Sequence, residues 1–175
     1  MGEFFPPVRT ASGDGRVVRA QFGRSGLGAV GSRVALCPDV SKELGFAVEL
    51  PLSFEAVVPR VREALKQEGF GILTEIDLRA AFREKLGREF RPYVILGACN
   101  PPLAFSAISA DPSVGLLLPC NVTVEWLAEG RTGVRLTDPE ALLSTVVLQG
   151  APELTSVAHD ARERMVRVAE SLAKR

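Results

Sequence analysis

The chain has 175 residues, 46% of them apolar and 24% charged, which fits one soluble globular domain with a tail. Basic and acidic residues both number 21, so the net charge is zero, and this argues against a strongly basic nucleic-acid binder. Three widely spaced cysteines and a single histidine argue against a secreted disulfide framework and against a structural zinc site made of Cys and His alone.

In chain order, residues 1 to 44 come first and differ from the rest. Seven of the 16 glycines fall within the first 40 positions, and "SGLGAVGS" has no period of 2 or 3.6 that would bury a face. The expectation is a disordered leader, or upstream sequence from a mis-assigned start, and Cys37 within it receives no role. The N-terminus carries no basic region followed by an apolar one. No apolar run approaches the roughly 20 residues of a membrane span. A cytoplasmic protein with no membrane partner is the default reading.

A single domain is expected over 45 to 175. "GFAVELP" reads as a short strand. Ser53 then caps a helix with Phe54, Val57, Val58, Val61 and Leu65 on one face, and Gly69 stops it. Pro59 lies inside that helix and predicts a kink or a late start. "FGILTEI" is a strand, and Asp77 caps a short helix bearing Leu78, Ala81, Phe82 and Leu86 that ends at Gly87. "YVILGAC" is a continuous apolar run, expected to be a strand covered on both faces.

Asn100 followed by Pro101 is the chemistry of a helix start, and "PPLAFSAIS" forms the helix. "VGLLLP", 114 to 119, reads as another buried strand. "NVTVEWLAEGRTGVRLTD" alternates around a glycine-bearing turn and reads as a hairpin. Asp138-Pro139 opens a helix. After Pro152 comes the longest helix, with Leu154, Val157, Ala158, Ala161, Met165, Val168 and Leu172 as its apolar stripe. The fold class is therefore α+β, a two-layer sandwich of one mixed, largely antiparallel sheet with helices mainly on one face. Neither GxGxxG nor GxxxxGK[ST] occurs, which disfavours a doubly wound nucleotide fold.

Two Cys-Asn pairs, Cys99-Asn100 and Cys120-Asn121, each close an apolar run beside a proline. A helix N-terminus stabilises an anion, so Cys99 has a reason to be reactive. The simpler account is that both cysteines pack as small apolar residues. Pro119 breaks the chain before Cys120 and places Cys120 and Asn121 at a sheet edge or pocket rim. Glu75 and Asp77 share a strand face, as paired carboxylates do in acid-base or metal sites, although a cap and an ion pair with Lys85 would also account for them. Tyr93 is the lone tyrosine and lines the core or a pocket. Trp126 sits on the hairpin, where it could face a partner. His159 lacks the partners of a catalytic histidine and reads as a surface residue.

The segments "VREALKQEGFG", "GFGILTEID", "KLG", "YVILGACNPPLA" and "GLLLPCNVTV", followed by a terminal amphipathic helix, resemble domain-of-unknown-function family 302 over about residues 45 to 172. The resemblance implies a compact α+β domain, often a homodimer, with no established reaction. It carries over Glu75, Asp77, Lys85, Tyr93, Gly97, Cys99, Asn100, Pro101, Pro119, Cys120 and Asn121 as motif residues. The leader and Pro59 depart from the family pattern.

No reaction is named by these residues, and a non-catalytic domain is the favoured reading. It is a small homodimer that binds a small-molecule ligand near Cys99, Asn100, Cys120 and Asn121, with Glu75, Asp77 and Tyr93 as further candidates, and without a cofactor or metal. The alternative is a thiol-based redox, persulfide or soft-metal protein using Cys99 and Cys120.

Overall fold

In the computed structural model, residues 44–144 and 152–174 are described. The expected leader, apart from Leu44, and Cys37 lie outside them.

Five strands, β1 (Gly45–Leu50), β2 (Gly71–Asp77), β3 (Tyr93–Cys99), β4 (Cys120–Ala128) and β5 (Arg131–Thr137), form one sheet in the order β1-β5-β4-β3-β2. Every pairing is antiparallel, which sharpens the largely antiparallel sheet expected from the sequence. β1 and β2 occupy opposite edges and are joined by the helix α1 (Phe54–Gln67). That helix must cross the sheet, and it touches β2, β4 and β5 on the way.

Register explains which face it covers. Leu96, Val122 and Leu136 lie side by side across three strands, and Val94, Val124, Val134 and Val48 across four. All seven are buried. Alternation sends their neighbours Ile95, Thr123 and Arg135 to the opposite face. Val57, Val61, Ala64 and Leu65 of α1 pack on the covered face, together with Met165, Val168, Ala169 and Leu172 of α5 (Pro152–Ala173). Fully burying one such side chain contributes roughly 1.5–3 kcal/mol.

Ser53 caps α1 as expected, its hydroxyl accepting from the Ala56 amide at 3.3 Å. The helix begins at Phe54 with Pro59 inside it, so the late start is not realised. Pro59 is exposed, and water can therefore satisfy the carbonyl that its missing N–H leaves open. The short helix α2 (Leu78–Leu86) ends at Gly87 with φ 62°, but none of its residues is buried. Its Phe82 meets Phe90 edge to face at 5.2 Å.

Residues 114 to 119 are not a strand. Pro112–Leu117 form a 3-10 helix, started by Asp111 accepting from the Ser113 amide at 2.8 Å. Pro112 and Gly115 favour a tight turn over an extended ladder, and the apolar run then packs inward one residue at a time rather than on two faces. Val114, Ala107 of α3 (Pro101–Ala110), Leu143 of α4 (Pro139–Ser144), and Leu154 and Ala158 of α5 build a second, smaller core. α5 serves both cores. Its predicted stripe is buried within the chain except for Val157, which is half-buried, so it offers little apolar surface to a partner. No described helix is long and apolar enough to cross a membrane.

Candidate functional site

Cys99 is the last residue of β3 and Asn100 the cap of α3. Asn100 Oδ1 accepts from the Leu103 amide at 3.3 Å, as expected of a cap. Its Nδ2 donates to the Glu68 carbonyl, the C-terminal cap of α1, at 3.5 Å. The same carbonyl accepts from Arg164 Nη1 of α5 at 3.3 Å, and the Glu68 carboxylate takes Arg167 Nε at 2.9 Å. One buried amide thus ties together the end of α1 and the start of α3, while α5 grips the same residue. The approach is close enough that Gly69, at φ 82°, has no room for a side chain: a Cβ there would stand 2.9 Å from Asn100 Nδ2. Both ends of the Asn100 amide are engaged, so its first role is structural.

Cys120 begins β4, with Ala98 as its cross-strand partner. Cys99 and Cys120 are free thiols, 8% and 9% exposed, and both line one apolar cavity of about 50 Å³. Leu103 and Ala107 of α3, Val114 of the 3-10 helix, Leu143 of α4 and Ala158 of α5 form its other walls. It lies where the two cores meet. Burial pushes the Cys99 thiol up, against the lowering expected from a helix N-terminus. Burial and the neighbouring Cys99 push Cys120 from 9.0 to about 11. Loss of hydration outweighs the helix dipole because the walls supply no cation.

Asn121 leaves this cavity. Alternation along β4 turns it to the opposite sheet face, where it is exposed and its carbonyl accepts from Thr137 Oγ1 at 2.8 Å. It lines a separate groove with Tyr93, Thr123 and Arg135. Gly97 lies between these regions on β3; a Cβ there would collide with Thr74 Oγ1 at 2.2 Å and Pro119 Cγ at 2.6 Å.

Glu75 and Asp77 form a third location. Glu75 is ion-paired with Arg62 of α1, not Lys85, which instead meets Glu84. Asp77 caps α2, accepting from the Ala80 amide at 3.0 Å. They border a depression with Tyr93, remote in the lining from the cysteines. Of the seven candidates, Cys99, Asn100 and Cys120 converge; Asn121, Glu75, Asp77 and Tyr93 do not join them. His159 is exposed and pairs with Glu140 at 2.9 Å, and Trp126 is 38% exposed on the hairpin.

The sequence reading missed Glu125. This carboxylate is 3% exposed, on the face away from α1 and α5, and is held by Arg91 at 2.8 Å and by Arg135. Burial raises its pKa, but the hydrogen bonds from Arg135 and Arg91 outweigh that and leave it below the ordinary range. The alternation of β4 was the available signal that Glu125 and Asn121 share a face. The partners, 34 and 10 residues away, carried none.

The family model described as "Domain of unknown function DUF302" matches residues 46–172. No curated protein matches the chain. Among solved structures, the chain is similar to the uncharacterized conserved protein DUF302 from Bacillus stearothermophilus, at 30% identity and a TM-score of 0.62, over 71% of this chain and 94% of that one.

Proposed function

The chain belongs to the DUF302 family of domains of unknown function, and we propose that it is a small homodimeric ligand-binding or accessory domain whose pocket is the cavity closed by Cys99 and Cys120. The carrying observation is the convergence of Cys99, Asn100 and Cys120 on one cavity. Its walls are almost wholly apolar, and the amide of Asn100 is already engaged. The chemistry suited to it is the end of an alkyl or aryl group. A charged group would lose its hydration there without gaining a partner.

The thiol-redox, persulfide or soft-metal reading draws support from two thiols sharing a cavity. It is weakened by their burial and raised pKa values, because the thiolate is the nucleophile and the metal ligand. Free cysteines accord with a reducing, cytoplasmic setting. The homodimer rests on the family resemblance and on apolar side chains left outside, among them Phe105, Leu116 and Leu73, which are 76%, 89% and 65% exposed.

Xenon is a probe of the right size and polarity for the pocket. In an NMR titration, methyl signals of Ala107, Val114 and Leu143 shift saturably with xenon pressure. Ala107→Leu fills the space and abolishes the response while the fold persists. Absence of saturable shifts there, or an undiminished response in the filled variant, overturns the assignment. Sedimentation at micromolar concentration reads the dimer, and a monomer refutes it.

A further inference from the structure

We propose that the second face of the sheet carries a further binding site, a groove of about 200 Å³ that takes a small organic carboxylate. It lies on the face turned away from α1 and α5, and its lining shares no residue with the cysteine cavity. Tyr93, Asn121, Thr123, Arg135 and Thr137 come to it from β3, β4 and β5.

Three observations define the chemistry. Arg135 is the charged residue on the lining, and no carboxylate lies among the described residues that form it. The Asn121 side-chain amide and the Tyr93 hydroxyl have no hydrogen-bond partner among the described residues, whereas the Thr137 hydroxyl is already engaged. The Thr123 hydroxyl, on the groove lining and between Ile95 and Arg135 in the strand register, is buried without a partner among the described residues. Unpaired buried polar atoms are rare in folded proteins, and this one sits in a groove lined with donors.

An ionised carboxylate fits this set. Arginine donates through a planar fork, and an amide and a phenol add neutral donors. Arg135 is ion-paired with Glu125, which Arg91 also holds, so the two arginines and one carboxylate leave one net positive charge beside the groove. Asn121 thereby acquires a role that its partner Cys120 does not share.

The test is a two-dimensional amide NMR titration of the full chain with benzoate, and with benzamide as its neutral counterpart. Benzoate should shift the Asn121, Thr123 and Arg135 amides saturably. Benzamide should bind at least about tenfold more weakly, the scale of one lost charge-assisted contact. Asn121→Ala and Arg135→Gln should each weaken benzoate by about fivefold or more. If Arg135→Gln does not fold, Asn121→Ala decides, since its side chain is exposed. Non-saturating shifts, equal binding of benzamide, shifts confined to the cysteine cavity, or unchanged affinity in Asn121→Ala each overturn the proposal.

Discussion

The two Cys-Asn pairs look alike in the sequence and meet opposite fates in the fold. In the first, the strand ends at Cys99 and a helix begins, so both side chains turn inward: the thiol to a cavity, the amide to two backbone groups. In the second, the strand is only starting. Period-two alternation then sends Cys120 inward and Asn121 outward. A dipeptide has no fixed structural meaning; the element that follows it decides whether its two side chains share a side.

Thiol labelling probes the inward halves and carries the largest expected effect. At pH 7 a thiol moved from 9.0 to about 11 has about a hundredfold less thiolate. Maleimide should therefore label Cys120 in the folded protein at least about a hundredfold more slowly than after unfolding. Fast labelling of either buried thiol would break the view that both pairs place their sulfur in the interior.

Alkaline stability sharpens the same point. Below pH 9 the thiol is protonated in the folded and unfolded chains, and its contribution is complete. As pH rises from 9 to about 11 the unfolded thiol ionises first, so stability falls, by up to about 3 kcal/mol. Urea unfolding across this range should show that loss in the wild type and a smaller one in Cys120→Ala.

The asparagines separate next. Asn100→Ala removes a cap and leaves the Glu68 carbonyl with one donor fewer, at an expected cost of about 2 kcal/mol. Asn121→Ala removes an exposed amide and should stay within about 0.5 kcal/mol. Chemical denaturation of both variants measures the difference, and equal losses would erase the distinction between the pairs.

Much of this was legible in the residues. The caps Ser53, Asp77 and Asn100 are local hydrogen-bond chemistry, and a few neighbouring residues specify them. The stripe of α5 follows a single period over six turns, which leaves little ambiguity. Residues 114 to 119 misled because a short apolar run has no period of its own, and Pro112 and Gly115 decided its geometry. The joining of Asn100 to Glu68, and of Glu125 to Arg91 and Arg135, depends on chain segments brought together only by the tertiary fold. The split of Asn121 from Cys120 was readable from alternation, once Cys120 is taken as the first residue of a strand rather than the end of one.

The Glu68 carbonyl has a consequence in time as well as in space. Its two donors lie 32 and 96 residues further along the chain. Closing loops of that length costs entropy before any contact repays it. If the joint forms only after the sheet has brought β3 to its place and α5 has docked, Asn100→Ala speeds unfolding and leaves the folding rate unchanged, which stopped-flow kinetics would read. An interaction made after the folding barrier leaves the folding rate alone and slows escape from the native state. Asn100 would then act as a latch on an assembled domain, governing how long it stays shut rather than how fast it forms.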